Sequence, residues 1–319
     1  MVDNGNPLQT AIAETLAAIP NVTVSPESTQ ESLAETPIAA GPEGKIVYVC
    51  QISKRSGFNQ ICIMNADGSE QRVLTPPSSA DNFFPSISRD GQVVYFASDR
   101  SGGYQIFQYS LEREELTQLS TFGTMQAYAP AESPDGNQIA FYARQQGEVY
   151  PSSHSIWVMD VDGNNARQIT DLSGGGWDPA WSPDGSQILF ASEIDDVPQL
   201  FIVDIESGDI HQVTNTEGVR GRNDWASNGL LLATYIGTPW DRDIFTFDLQ
   251  GNNLQQLTDG HNNLAPSFSP DGEWITFMSY RDHPREDLGC EIYVMRTDGS
   301  DVQRLTDNDI CDWQPRWGP

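Results

Sequence analysis

The phrase Ser-Pro-Asp-Gly recurs at Ser133–Gly136, Ser182–Gly185 and Ser269–Gly272, with a near copy at Ser88-Arg89-Asp90-Gly91. A repeat constrains the fold before any single residue is interpreted, because each copy has to be one supersecondary unit stacked on the next. The same grammar returns around it. In one unit Asp178-Pro179-Ala180-Trp181 precedes the phrase and Ile188-Leu189-Phe190 follows it. Then come Gln199–Asp204, a Gly turn, and His211-Gln212-Val213-Thr214. The closing pairs are Leu74-Thr75, Leu119-Ser120, Ile169-Thr170, Val213-Thr214, Leu257-Thr258 and Leu305-Thr306, spaced by 45, 50, 44, 44 and 48 residues.

Each unit carries four short stretches rich in Val, Ile, Phe, Tyr and Thr, separated by turn residues, which reads as four antiparallel strands. We label them A to D from a central channel outward. In the fourth unit A lies near Trp177–Trp181, B near Gln187–Ser192, C near Gln199–Asp204 and D near Asp209–Thr214. Six such units of about 46 residues predict an all-β, six-bladed β-propeller over residues 41–319. The fifth unit is the most degraded, with Asn223 at the proline position and Ala226-Ser227-Asn228-Gly229 in place of the phrase. The final Trp313-Gln314-Pro315-Arg316-Trp317 matches strand A, whereas Gly44 and Lys45–Val49 match the end of a turn and strand B. The C-terminal strand is therefore expected to join the N-terminal blade and close the ring.

Three phrases look like TolB-type WD-like propeller repeats: Pro179–Gly185, Phe96-Ala97-Ser98-Asp99-Arg100, and Ile292-Tyr293-Val294-Met295 with Asp298-Gly299. That family includes the periplasmic TolB propeller, and the chain is also similar to propellers that cap dipeptidyl-peptidase-type enzymes. The resemblance covers nearly all of 41–319. It implies the fold directly and a protein-binding role in the cell envelope as an expectation.

The 45 acidic and 17 basic side chains leave a formal charge of −28, and only Lys45 and Lys54 are lysines. Such a surface repels nucleic acid and anionic lipid, so neither is an expected partner. No run of 18 apolar residues occurs, so direct membrane insertion is not expected, and Met1 is not followed by a signal-peptide pattern. Residues 1–40 contain no Lys or Arg. Within them Pro7 to Ile19 has the stripe of a short helix, and the stretch from Ser25 to Pro42 reads as a solvated linker. That linker suggests a tether, and with it a periplasmic or extracellular location.

Four cysteines without a Cys-x-x-Cys pair argue against zinc and allow three disulfide pairings. Cys290, at the start of strand C, and Cys311, before the last strand A, fall in neighbouring loops of one face; their pairing would fasten the closing strand. Cys50 and Cys62, on a hairpin of the first unit, form the second candidate pair. Free thiols are the alternative.

The A–B turns and the Asp-Gly C–D turns are tight, leaving that face little material for a site. Asp160-Val161-Asp162-Gly163-Asn164 belongs to it as a turn, because it lacks the glycine and distal Glu of a calcium loop. The D–A and B–C loops are longer. Two residues before the proline position stand Trp313, Phe83, Tyr128, Trp177, Gly221 and Leu264, four of them aromatic. Tyr150 and Trp240 belong to loops of the same face, and Asp178, Arg220, Arg222, Asn223, Asp224 and Arg316 add polar groups near the channel mouth. Aromatics with a few Arg and Asp suit a protein or peptide partner and would also suit sugar stacking; rings packed between blades are the plainer reading.

No Gly-x-Ser-x-Gly elbow occurs, and His154, His211, His261 and His283 show no metal-binding spacing. No catalytic residue, metal or cofactor is therefore expected. Ser98-Asp99-Arg100 and Tyr280-Arg281-Asp282 read as sites of structural ion pairs. The leading expectation is a non-catalytic envelope scaffold binding protein or peptide through the D–A/B–C face. A carbohydrate-binding or carbohydrate-active propeller is the first alternative, and a purely structural subunit of a membrane-associated complex the second.

Overall fold

The computed structural model describes residues 41–319 apart from 53–56, 77–78, 149–152, 285 and 287. The Pro7–Ile19 helix, the linker up to residue 40, Lys54 and Tyr150 lie outside the described residues.

Twenty-four strands form six four-stranded antiparallel sheets. Blade 1 combines β1 (Lys45–Gln51), β2 (Asn59–Asn65) and β3 (Arg72–Val73) with β24 (Trp313–Gly318). Blade 2 is β4 (Asn82–Ile87), β5 (Val93–Ser98), β6 (Gln105–Ser110) and β7 (Glu115–Gln118). Blade 3 is β8 (Met125–Glu132), β9 (Gln138–Gln145), β10 (Ser155–Asp160) and β11 (Arg167–Gln168). Blade 4 is β12 (Trp177–Trp181), β13 (Gln187–Ile194), β14 (Val197–Asp204) and β15 (Ile210–Gln212). Blade 5 is β16 (Asp224–Trp225), β17 (Leu232–Thr238), β18 (Asp241–Phe247) and β19 (Gln255–Gln256). Blade 6 is β20 (Asn263–Phe268), β21 (Trp274–Ser279), β22 (Glu291–Arg296) and β23 (Gln303–Arg304). The A strands β24, β4, β8, β12, β16 and β20 touch in sequence around the axis.

The repeat phrases have concrete jobs. In Ser182-Pro183-Asp184-Gly185, the Ser182 hydroxyl donates to Asp184 at 2.6 Å and accepts the Gln187 amide of strand B at 2.9 Å. Gly185 takes φ +74, which a Cβ would penalise. Ser88 and Ser133 repeat both bonds. These hydroxyls hold the carboxyls of Asp90, Asp135 and Asp184 below the usual carboxylate range. In the degraded fifth unit Asn228 accepts the Leu230 amide in place of the aspartate. The closing hydroxyls act alike in all six blades: Thr75, Ser120, Thr170, Thr214, Thr258 and Thr306 each accept the backbone amide of a strand-C residue, at 2.8–3.1 Å. Asp160–Asn164 is a hairpin turn, with Gly163 N donating to Asp160 O.

Alternation in the B strands buries both sheet faces. Ile46 and Tyr48 pack with Trp274 and Ile292 of blade 6, whereas Val47 and Val49 pack with Val94 and Phe96 of blade 2. The core is thus a set of slabs between blades. Outer strands of two to four residues leave little edge to recruit another chain.

At the seam Lys45 pairs with Gly318, Ile46 with Trp317 and Val47 with Arg316. Trp317 is buried and donates Nε1 to the Glu43 carbonyl at 2.8 Å. Gly44 sits at φ +97, where a Cβ would collide with the Gly318 carbonyl. Both expected disulfides are present. Cys290–Cys311, with Cα atoms 4.6 Å apart, ties the start of β22 to the segment entering β24. Cys50–Cys62, at 5.9 Å, is a diagonal pair, because Cys50 stands opposite Gln60 and Tyr48 opposite Cys62. The two ion-pair expectations are only partly met. Arg100 bonds Ser98 and Asn82 and lies 5.1 Å over Phe107, while Asp99 accepts the Asp81 amide instead. Arg281 is held likewise by Ser279 and Asn263 under Tyr293, and Asp282 pairs with Arg304 at 3.1 Å. The side chains two residues apart along the strand end favour stacking on the sheet over pairing with their neighbour.

Asp312 follows the seam disulfide and is 2% exposed. Burial, reinforced by the nearby Glu291 carboxylate and opposed by the Asn308 amide, pushes its carboxyl up to about 7. The unfolded chain ionises near the ordinary value, so unfolding releases a proton between about pH 4 and pH 7. Stability from this group is therefore full at low pH and is lost as pH rises to about 7, on the order of a few kcal/mol. Asp312→Asn should raise Tm at pH 8 and flatten the difference between pH 5 and pH 8; an equal drop in both proteins refutes it. Deleting 312–319 should lower Tm by more than about 10 °C, since it opens β1 and uncovers the blade 6 slab; an unchanged Tm would sink the closure argument.

Candidate functional site

Five of the six A strands carry a bulge, the two-residue β16 being the exception. Pairing shifts between Phe83 and Ser86, Tyr128 and Ala131, Trp177 and Ala180, and Leu264 and Ser267. The residue before the proline position has positive φ in all six blades: Gln314 (51°), Phe84 (55°), Ala129 (50°), Asp178 (52°), Arg222 (56°) and Ala265 (53°). Left-handed backbone at non-glycine residues is costly and persists only where the surroundings impose it. Here the bulges turn one ring of residues toward the axis.

Four members of this ring interlock. Asp178 accepts the Arg222 amide at 2.8 Å. The Arg222 guanidinium donates to the Gln314 carbonyl at 3.2 Å and lies 5.4 Å from the Phe84 ring centre. The Gln314 side chain accepts the Phe84 amide at 2.8 Å. Blades 1, 2, 4 and 5 are so joined through Arg222. Burial, with the neighbouring Arg316 charge, pushes the Arg222 guanidinium down to about 9, against the pull of Asp178. Burial also raises the Asp178 carboxyl, although Arg222 opposes it. Both shifts show that desolvation outweighs attraction in this pair.

Beyond the ring lies a cavity of about 400 Å³. Its wall is the column after the proline position, Ser86, Ala131, Ala180, Asp224, Ser267 and Arg316, and its rim is made of Ser-Pro-Asp-Gly turns. The turn face, expected to hold little, thus carries the larger cavity, because small side chains at four of the six wall positions leave the channel open there. Arg222, Asp224 and Arg316 line it, so these candidates belong to the turn-face end of the channel. Arg316 pairs with Asp224 at 3.5 Å and donates to the Asn223 carbonyl at 2.9 Å; Asp224 also accepts the Phe268 amide.

On the other face the aromatic candidates meet. Trp313 contacts Phe83 at 5.5 Å between ring centres, Phe83 contacts Tyr104 at 5.8 Å, and Tyr104 contacts Tyr128 at 5.0 Å. The series continues through Tyr142 at 5.1 Å and His154 at 5.2 Å to Trp177 at 6.5 Å. This crescent spans blades 1 to 4. Tyr128 and Tyr142 are buried, whereas Phe83, Tyr104, Trp177 and Trp313 remain half-buried. Arg144 lies over Tyr128 and donates to its hydroxyl at 3.0 Å. Burial, then the Arg144 charge, pushes His154 down to about 4, so its imidazole is neutral at pH 7. Both His154 nitrogens, Arg144 Nε and Trp313 Nε1 are buried with no hydrogen-bond partner. Sequence reasoning missed Tyr104, Tyr142 and the place of His154, which share no column with Phe83, and also Phe84 and Gln314, which the column just before the proline position would have pointed out.

Trp240 is separate from the crescent. It contacts Tyr280 edge-on at 5.3 Å, beside a cavity of about 230 Å³ also lined by Asp241, His261, Asn262 and Pro284. Among the described residues, no group of three or more His, Cys, Asp or Glu is placed to hold a metal ion, and no helix is long and apolar enough to cross a membrane.

Six four-stranded blades in a ring closed by the C-terminal strand define a six-bladed β-propeller. The model of the TolB beta propeller domain matches residues 31–152 and 124–319, and the chain belongs to that family. It is 31% identical over 201 residues to the Protein TolB homolog of Chlorobium chlorochromatii, covering 61% of this chain and 43% of that one. It is 26% identical over 160 residues to the uncharacterized peptidase YuxL of Bacillus subtilis, covering 50% of this chain and 22% of YuxL. The chain thus spans less than half the length of either relative. In fold it is similar to TolB from Acinetobacter baumannii, with a TM-score of 0.74 and 22% identity over 86% of this chain and 67% of that one. Two disulfides are the mark of an oxidising, non-cytoplasmic compartment.

Arg222→Ala should cost ~3 kcal/mol in denaturant unfolding, because it leaves Asp178 buried without its cation. Asp178→Asn combined with Arg222→Met should cost less than Arg222→Ala alone; a strictly additive pair would overturn the coupling.

Proposed function

We propose that the protein is a non-catalytic scaffold of the cell envelope that binds a protein or peptide partner through the crescent on its D–A/B–C loop face. The carrying observation is the set of buried, unpartnered nitrogens of His154, Arg144 and Trp313 within a half-buried aromatic arc. Unsatisfied buried polar atoms cost about 1–3 kcal/mol each, so the arc is a place where repacking against an incoming chain is favoured, and that chain would cover Phe83, Tyr104 and Trp177. Membership of the TolB propeller family supports a protein-binding role, and the disulfides support an extracytoplasmic site of action. YuxL shares with this chain only a segment that is 22% of its own length, which transfers no peptidase activity. Residues 1–40 serve in this reading as a tether.

The test is affinity capture from native envelope extract with the wild-type protein and a Phe83→Ala, Tyr104→Ala variant whose Tm stays within a few degrees. A partner held by the first and reduced at least tenfold on the second is the expected result. Equal retention by a folded variant would move the binding surface elsewhere, and no specific partner on either would remove the scaffold reading.

A further inference from the structure

Trp240 stands where a tryptophan is a poor choice for folding. Thr238 pairs with Asp241, so Pro239 and Trp240 are the two corner residues of the β17–β18 hairpin. Proline at the first corner and positive φ at the second are the signature of a type II turn, whose second corner favours glycine. Trp240 occupies it at φ +70 and remains 41% exposed. Its edge-on approach to Tyr280 returns no more than the left-handed backbone costs. Folding alone gives no reason for this side chain here, and an outlier of this kind points to function.

The surroundings are also built. His261 and Asn262 are both left-handed, at φ +74 and +56, and line the same cavity as Trp240, Tyr280 and Asp241. Asn262 is 6% exposed, and its Oδ1 is buried without a hydrogen-bond partner. Asp241 supplies an exposed carboxylate. Among the described residues, the nearby guanidiniums lie against other rings: Arg242 toward Tyr235, and Arg281 under Tyr293. An aromatic pair, a carboxylate and a lone amide oxygen form an acceptor-rich pocket on a protein of net charge −28.

We propose that the cavity between the blade 5 hairpin and the blade 6 entry loop receives a basic side chain, an arginine or lysine, of the partner peptide. The cationic head stacks against Trp240 and Tyr280 and pairs with Asp241, as cations do over aromatic faces. This rests on the protein-binding reading and gives it a second, charge-selective anchor on the same loop face.

The test uses the full chain labelled with 15N, following the indole signal of Trp240, which is identified by its loss in Trp240→Gly. The probes are Ac-Gly-Gly-Arg-Gly-Gly-NH2, the same peptide with neutral citrulline in place of arginine, and cellotetraose. The expected result is a saturable shift of the Trp240 signal with the arginine peptide, at least fivefold weaker for citrulline, for Asp241→Asn and at 0.5 M salt, on the order expected for a screened ion pair. Trp240→Gly should lose binding with Tm unchanged or raised. Equal shifts with arginine and citrulline, a shift with cellotetraose alone, or a Tm lowered by several degrees in Trp240→Gly would each overturn the proposal. A partner captured equally by wild type and Trp240→Gly would remove this pocket while leaving the crescent reading in place.

Discussion

Six sheets around an axis can bury both faces only if the first meets the last, so the ladder between Trp313–Gly318 and Lys45–Gln51 governs the whole ring. Without it Val47 and Ile46 would still pair with strand C, yet the slab shared with Trp274 and Ile292 would face water. The chain concentrates reinforcement there: Trp317 bonded to Glu43, a glycine pressed against Gly318, and a disulfide just before the strand. It also places a strongly raised carboxyl, Asp312, beside that disulfide. A buried acid at the most cooperative point of the ring transmits a local proton affinity to global stability, whereas the same acid on an outer strand would change only local opening.

The fold was legible because its signals are local hydrogen bonds. A serine that bridges its turn aspartate and the next strand recurs in four blades, and a threonine or serine hydroxyl that accepts a strand-C amide recurs in all six. Where Ala226 replaces the serine, Trp225, the spacing and the Leu257-Thr258 ending keep the unit in register, and the asparagine still bonds the turn. The aromatic column Trp313, Phe83, Tyr128 and Trp177 was legible for the same reason, since one strand position repeats. The cavity on the turn face was not. Its wall depends on which side chains are small in a column whose φ values come from bulges, and a bulge is a pairing shift between strands that no single strand announces.

The channel and the loop face divide the chemistry. Asp178 spends its charge on the Arg222 backbone amide and Arg222 spends its own on the Gln314 carbonyl, which suits a strut. Buried polar atoms without a hydrogen-bond partner occur at both ends, at His154, Arg144 and Trp313 in the crescent and at Ser86, Asn223 and Arg316 by the channel, so what sets the crescent apart is its run of half-buried rings. Net charge adds a second constraint: the guanidiniums of Arg222 and Arg316 line the channel of a protein carrying −28, whose exterior favours basic partners.

Left-handed backbone appears in both settings and means different things. Around the ring six left-handed residues, one per blade, share the cost, and the interlocked side chains of Phe84, Asp178, Arg222 and Gln314 return it as contacts between blades. At Trp240 the strain belongs to one hairpin corner, and the ring it presents is largely exposed rather than packed. Repetition with packing marks a structural device; isolation with exposure marks a residue held in place for something outside the chain. On that criterion the loop face has two anchors of different character: an arc that is already half-buried and adds area, and a single exposed indole beside a carboxylate that adds selection by charge.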